Sequence, residues 1–384
     1  MARIALVTSS YLPRIGGVEE HVARVADGLT RQGHMVSVWS VDQGDPIPPE
    51  GPGSTVRLLP CPLPSRSIRG LARFLVSVMP AWFAWRRAFR LDRPDIVHIH
   101  CFGPNGVYAT HFAGTRRLVY SHHGETFMDS IFDRSRLLSK RLARTLGRAD
   151  AVSSCSAFAA RDLQRFGRNP SEVAVVPNGV DLDAPIGPLP RGFGEETAFV
   201  LGIGRLVGVK GFDTLIRAFS HLVRRGADDG VNLVIAGDGP ERQKLAQLAR
   251  DLDLEDRVKF PGALSRPAVG AAMAAARLLV VPSHIEAFGI TILEGWRAGT
   301  PVIATRNGGP AEIIQDRQNG ILVAPTSVDA IAEAIELLLR DPRTAEDLGE
   351  RGRESAAQYS WERTVLGYEE IYARLGVTTP AMRS

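Results

Sequence analysis

The strongest constraint on this chain is an alternation. Short apolar runs recur along it, each followed by a loop and then by a stretch of helical spacing. Ile4–Val7 is the first run. A Gly-rich loop, Arg14-Ile-Gly16-Gly17-Val18, follows it, and a helical pattern extends from Glu19 to about Arg31. Val36–Ser40, Asp95–His100, Leu118–Ser121, Ala151–Ser154 and Val173–Val176 continue the strand series. Repeated βα units of this kind imply a parallel sheet covered by helices. The series pauses at Pro185–Gly194, a Pro- and Gly-rich stretch that reads as a linker. It then restarts with Ala198–Ile203, Asn232–Ala236, Val258–Phe260, Leu278–Val281 and Pro301–Ala304. The expected fold is α/β, with two doubly wound parallel-sheet, Rossmann-like domains at 1–186 and 187–360, facing across a cleft. Ligands of open parallel sheets bind beyond the carboxyl ends of the strands, so that cleft is the expected site.

Composition narrows the class. Apolar residues make up 44% of the 384 and charged residues 23%, which excludes a disordered or collagen-like chain. The three cysteines, at 61, 101 and 155, are too few and too scattered for a disulfide framework, and a reducing cytoplasmic setting is expected. The first apolar run is too short for a secretory leader, and no stretch is long enough for a spanning helix. Residues 1–185 carry 23 basic and 16 acidic side chains, a balance of +7 inside a whole-chain balance of +4. A basic half can face an anionic substrate or an anionic membrane. Nucleic acid is not an expected partner, because no zinc-finger spacing or RNA-binding signature is present.

Two constellations can carry chemistry. The first is Pro282-Ser-His-Ile-Glu286-Ala-Phe288-Gly289-Ile290-Thr-Ile-Leu-Glu294, followed by Gly308-Gly309-Pro-Ala-Glu312. Glu286 and Glu294 have seven residues between them, the first on a loop and the second on the following helix. Ionised carboxylates only accept, so each can hold two hydroxyls, such as those of a sugar and of a ribose. Phe288, Gly289 and Ile290 would offer backbone N–H groups at a helix N-terminus, which favours an anion. The second is Gly202-Ile-Gly204-Arg205-Leu-Val-Gly208-Val-Lys210-Gly211, with Arg and Lys five residues apart on a Gly-rich turn. A guanidinium fork and a compact ammonium suit a diphosphate leaving group. A dinucleotide fingerprint fits less well, because the nearest acidic residue at the end of the next strand, Asp238, lies 36 positions beyond Gly202 rather than about 20.

Histidines crowd the N-terminal half. His98 and His100 share one face of a strand, and His122 and His123 end another. No metal-binding motif accompanies them, so no metal site is expected. His123, followed by Gly124, sits at a strand's carboxyl edge and can make a polar contact there. The segment Leu71–Arg90 mixes Phe74, Trp82, Phe83, Trp85 and Phe89 with arginines. It is expected to be an ordinary helix that packs its aromatics inward while Arg stems snorkel. Pro80 argues against one uninterrupted helix. Peripheral contact of the basic N-terminal domain with the inner face of a membrane stays open as an alternative.

These residues together resemble the retaining glycosyltransferases of family 4, with the two-domain GT-B fold. The likeness covers nearly the whole chain: Gly16-Gly17-Val18-Glu19, Pro94–His100, His123-Gly124, Pro177–Asp181, Gly204-Arg205 with Lys210-Gly211, Gly237–Glu241, and the Glu286/Glu294 pair. The segment 361–376 resembles the family's last helix, which crosses back to the N-terminal domain. The resemblance implies that Arg205 and Lys210 bind the donor diphosphate and that Gly16 and Gly17 approach it from the other domain. It implies that Glu286 holds the donor sugar, Glu294 the ribose, and Phe288, Gly289 and Ile290 backbone contacts, with His123 beside the reacting sugar. The implied reaction moves a hexosyl or N-acetylhexosaminyl group from a nucleotide-diphosphate sugar, with UDP the expected nucleotide, to an alcohol acceptor with retention. No metal or other cofactor is expected. An epimerase or hydrolase on the same fold, or a non-catalytic donor-binding partner, are the competing readings. The acceptor is not legible; its contacts are expected from the loops Pro46–Arg69 and Glu125–Arg136.

Overall fold

Both sheets are wholly parallel in the computed structural model, which describes residues 1–14, 16–44, 54–63, 67–127, 131–189, 193 and 198–377. The contacts divide the chain into two units, Met1–Asn178 with Trp361–Ser384, and Gly179–Ser360. That division falls eight residues before the expected boundary at 186. The reason is visible in the backbone. Val180 bridges Ser360 and takes the Tyr359 carbonyl at 2.8 Å, and Gly187 N–H reaches Pro267 O at 3.0 Å, so the segment after Asn178 is built into the second unit. Residues 190–192 and 194 of the expected linker lie outside the described residues.

The first unit has seven strands: β1 (Arg3–Thr8), β2 (Met35–Val41), β3 (Ser54–Leu59), β4 (Ile96–His100), β5 (Arg117–His122), β6 (Ala151–Ser154) and β7 (Val173–Val175). Their order is β3-β2-β1-β4-β5-β6-β7. β1, β4 and β5 read as nearly continuous buried runs, as strands covered on both faces must. β3 falls within a stretch expected to be loop. Its side chains are mostly half-buried, the pattern of an edge strand, and such a pattern carries little periodic signal. The closing helix, Trp361–Arg374, packs in this unit, with Val365, Tyr368, Ile371 and Tyr372 in one cluster with Val22, Val25 and Leu29 of the helix Gly17–Arg31.

One helix runs without interruption from Ile68 to Asp92, through Pro80. The break expected at Pro80 does not occur. A proline deprives the carbonyl four residues earlier of its donor, here that of Val76. Val76 and Pro80 are both on the exposed side, where that carbonyl is open to solvent rather than stranded in the core. Ser67 caps the start by accepting the Gly70 N–H at 3.1 Å.

The second unit has six strands: β8 (Phe199–Ile203), β9 (Asn232–Ala236), β10 (Val258–Gly262), β11 (Leu278–Val281), β12 (Val302–Thr305) and β13 (Ile321–Val323), in the order β10-β9-β8-β11-β12-β13. Helix Phe212–Arg224 buries Leu215, Ile216, Phe219 and Leu222 against the sheet in one continuous core. In each unit the strand order reverses direction once, between β1 and β4 and between β8 and β11. Loops that leave the carboxyl ends of strands at such a reversal splay apart and leave a crevice, which is where open α/β sheets bind ligands.

Candidate functional site

In the second unit, the two expected constellations leave the two strands that flank the reversal. The loop after β8 carries Arg205 and Lys210; the loop after β11 carries Glu286. Glycines let the loops touch. Gly211, at φ 67°, lies so close to the Pro282 carbonyl that no Cβ fits, and His284 N–H reaches Val209 O at 2.8 Å. Gly237 and Gly239 back the same turn, with Gly204 N–H on Ala236 O at 3.0 Å and Leu206 N–H on Asp238 O at 2.9 Å. On the other side, Glu286 N–H donates to Asn307 O at 3.1 Å and Gly309 N–H to Glu286 O at 2.9 Å. Asn307 also donates its amide to His284 O at 2.6 Å, and Thr305 donates to Ser283 O. Asn307 and Thr305 carry no sequence signal of their own.

The result is a direct contact across 76 positions of sequence: Lys210 Nζ to Glu286 Oε2, 2.6 Å. Ser283 Oγ donates to the same oxygen at 3.2 Å, and the Phe288 N–H also serves the carboxylate. Burial alone would raise the Glu286 pKa; Lys210 and these hydrogen bonds outweigh it and hold the carboxyl below its ordinary range. The sequence reading sent Lys210 to a phosphate and Glu286 to a sugar. The structure joins them, and Phe288 gives its N–H to Glu286. Arg205 is exposed and makes no ion pair among the described residues, so its fork is open to an anion.

Gly289, at φ 104°, starts the helix Ile290–Arg297 with no side-chain cap, which leaves first-turn N–H groups at its positive end. Glu294 lies on this helix. Burial pushes its carboxyl up to about 7, against the opposing charges of Arg266 and Arg297.

The first unit gathers a second group at its own reversal. Gly16 precedes the helix Gly17–Arg31, with extended backbone at φ −175°. A Cβ there would collide with the Glu19 carboxylate, which also accepts from Ser10. The first turn is acidic, with Glu20 held by Arg24 at 2.6 Å, so a phosphate brought to Gly16 and Gly17 meets backbone donors beside two carboxylates. His123 follows β5. Its Nε2 is 3.2 Å from His100 Nδ1, and its ring is edge-on to His21 at 4.6 Å. Burial first, then the neighbouring His122, pushes its pKa down to about 4 against Glu125, so the imidazole is neutral near pH 7.

Glu125 organises this corner. It accepts from Phe102 N–H (2.8 Å), Tyr120 O–H (2.7 Å) and His123 N–H (2.9 Å), and lies 3.1 Å from His122 Nδ1. Behind it, His98 bonds Tyr372 O–H (2.7 Å) and Ser121 Oγ (2.6 Å), and His21 bonds Asn178 Oδ1 (2.7 Å) and Tyr368 O–H (2.9 Å). The closing helix thus supplies two phenols to the histidine cluster. Ring nitrogens of His21, His100 and His123 lie within 4.8 Å of one another, a spacing open to a metal ion. Both nitrogens of His21 are already hydrogen-bonded, however, so the set offers no free lone pair there.

Two doubly wound parallel sheets, one with a lysine–carboxylate pair and an open guanidinium at its reversal, define the architecture of the GT-B glycosyltransferases. Comparison with known proteins agrees. Residues 15–184 match the family model "Glycosyltransferase Family 4" and residues 190–355 match "Glycosyl transferases group 1". A GDP-mannose-dependent alpha-(1-6)-phosphatidylinositol monomannoside mannosyltransferase from Mycobacterium tuberculosis is 29% identical, over 94% of this chain and 96% of its own. A D-inositol 3-phosphate glycosyltransferase from Corynebacterium aurimucosum is 28% identical, over 93% and 91%. Among solved structures, sucrose-phosphate synthase from Thermosynechococcus elongatus superposes with a TM-score of 0.80 at 24% identity, over 97% and 98% of the two chains. HepE from Anabaena, in complex with UDP, superposes at 0.73 and 21% identity, over 98% and 100%. The chain belongs to the group 1, family 4 glycosyltransferases and has the GT-B fold.

Proposed function

We propose that the protein is a retaining hexosyltransferase that moves a hexosyl or N-acetylhexosaminyl group from a nucleotide-diphosphate sugar to an alcohol. The observation that carries this reading is the Lys210–Glu286 pair beside the open Arg205. Arg205 and Lys210 neutralise the diphosphate as it leaves, Glu286 accepts from donor-sugar hydroxyls, and Glu294 accepts from the ribose. The uncapped first turn after Gly289 adds N–H donors. The neutral His123 offers a hydrogen bond to a sugar hydroxyl. The C1–phosphate bond breaks as the acceptor oxygen bonds C1 on the same face, and the acceptor proton passes to the departing phosphate oxygen. Glu125 supports this front-face route, because its carboxylate is engaged by several internal donors and has little to spend as a nucleophile.

UDP is the donor nucleotide in this reading, and the GDP-mannose dependence of the mycobacterial relative makes GDP the competitor. A polyol acceptor is the first to try in this reading, since two relatives are named for phosphatidylinositol monomannoside and D-inositol 3-phosphate. Peripheral membrane contact through the basic N-terminal unit completes the proposal. Of the loops expected to touch the acceptor, residues 46–53, 64–66 and 128–130 lie outside the described residues.

The test is a screen of UDP- and GDP-sugars, read as nucleoside diphosphate release, with the product anomer assigned by NMR. Net transfer or slow donor hydrolysis with an α product is expected. An isomerised donor makes the protein an epimerase; saturable binding without release makes it a donor-binding partner. EDTA is expected to leave the initial rate unchanged, since cationic side chains and a helix N-terminus neutralise the diphosphate. Loss of activity restored by one divalent metal would redirect attention to the histidine cluster.

Glu294 sets a pH dependence. Its ionised form accepts two hydroxyls, and its carboxyl titrates near 7. Donor KM is therefore expected to rise roughly tenfold as pH falls from well above to well below 7, the worth of one hydrogen bond to a charged group. Glu294→Gln should have the higher KM throughout and a flat profile. A wild-type KM that ignores pH would remove Glu294 from the ribose.

A further inference from the structure

The helix Ile68–Asp92 does not bury its apolar residues as a surface helix should. Trp85 and Phe89 are buried in the first unit's core, as expected of aromatics that pack inward. Phe83 is not: it is 58% exposed. Leu71, Leu75, Met79 and Phe83 follow one another at every fourth position, and Val76 lies beside them. That spacing forms one line along a helix, ~18 Å from end to end. All five are exposed, Leu75 by 61% and Val76 by 77%. Between Leu71 and Phe83 this face also carries Ala72 and Pro80, both exposed and both apolar. A contiguous exposed apolar face of this kind marks an interaction surface.

The charges beside it select the partner. Arg69 and Arg73 stand at one end of the face and Arg87 and Arg90 at the other, all exposed. Arg86 lies over the Trp82 ring at 5.0 Å. The helix has one acidic residue, Asp92, and its carboxylate is taken by Arg57 and by Trp39 Nε1 at 2.8 Å. An apolar strip with cations at both ends repels a second copy of itself, whichever way the two strips align. A bilayer that presents anionic headgroups accepts both features, the strip among the acyl chains and the guanidiniums among the phosphates. No described helix is long and apolar enough to cross a membrane, so contact with a bilayer would lay this one in the interface plane.

We propose that the face Leu71–Phe83, with Arg69, Arg73, Arg87 and Arg90, is a docking surface for an anionic lipid bilayer. It deepens the peripheral contact proposed above by naming its carrier, and it does not depend on the sugar-transfer chemistry. The test is flotation of the full chain with phosphatidylglycerol–phosphatidylcholine vesicles and with phosphatidylcholine vesicles alone. The wild type should float with the mixed vesicles and at least ~10-fold less with the neutral ones. The triple variant Leu75→Ser, Val76→Ser, Phe83→Ser should lose ~10-fold or more of the binding. So should Arg73→Gln with Arg87→Gln, while donor hydrolysis stays at the wild-type level. Should the triple variant lose its circular-dichroism signature, Val76→Ser alone, at the most exposed position, reads the same loss in smaller measure. The proposal is overturned if the wild type ignores mixed vesicles or if the folded serine variants float as well as the wild type. It is also overturned if light scattering shows a self-associated chain whose dimer the triple variant abolishes without any vesicle binding.

Discussion

Lys210→Ala is expected to lower the transfer rate by ~10²–10³, about 2.7–4 kcal/mol of transition-state stabilisation, with the fold intact. That is the usual cost of removing one preorganised charge from a site where charge develops. Two losses add here. The departing diphosphate loses a cation, and Glu286 loses the partner 2.6 Å away that keeps it ionised despite its burial. Without Lys210, burial is opposed only by the Ser283 hydroxyl and backbone N–H groups, so the carboxyl pKa rises and Glu286 becomes a poorer acceptor for sugar hydroxyls. Lys210→Arg is not a rescue by default, because a planar fork does not reproduce a point contact at this distance. The measurement is kcat and kcat/KM on the best donor, with melting temperature as the fold control. A variant within threefold of wild type would take Lys210 out of the mechanism.

The second large effect is acid lability of the N-terminal unit. His21, His98 and His100 are buried, and burial first, then repulsion among neighbouring imidazoles, holds each pKa well below the ordinary 6.5. Folded, they stay neutral as pH falls; unfolded, they bind protons below about 6.5. The unfolded state thus gains protons that the folded state refuses, and stability drops with acid. Each such histidine costs on the order of 1 kcal/mol for each pH unit below about 6.5, so the three together cost a few kcal/mol by about pH 5.5. Against a domain stability of about 5–15 kcal/mol that is a large share. Melting of the N-terminal unit, followed by calorimetry, should fall by roughly 10 °C over this range. An unchanged melting temperature would mean that Tyr368, Tyr372 and Asn178 accommodate the charged rings. The contrast with Glu125 is informative. Its carboxyl is held low, so its own contribution is lost only in stronger acid.

Much of the architecture was legible from local pattern. Strand residues such as Ile4–Val7, Leu278–Val281 and Leu233–Ala236 are apolar because parallel strands are covered on both faces, and that leaves a mark in a window of a few residues. β3 was not legible, since its mostly half-buried side chains leave no continuous apolar run, and β13 was not singled out although two of its three residues are buried. The glycines at 204, 211, 289 and 308 pointed to the right loops, because positive φ is a property of one residue and its neighbours. Glu125 was legible only as the start of a loop; its role as the acceptor that ties His122, His123, Tyr120 and Phe102 together appears when β4 and β5 lie side by side.

The sequence by itself determined the alternation of strands and helices, the two sheets, and the loops that carry Arg205, Lys210, Glu286 and Glu294, because each is written in residues close together in the chain. Only the tertiary structure decided which of these meet. Lys210 and Glu286 are 76 positions apart, and strand order, not sequence distance, sets β8 against β11 and their loops in contact. The same holds for the helix Ile68–Asp92. Nearly every residue from Leu71 to Trp85 is apolar, so no periodicity marks an inner face. Packing alone selected Trp85 and Phe89 for the core and left Val76 and Phe83 outside, since a sheet can bury only the side of a helix that it touches.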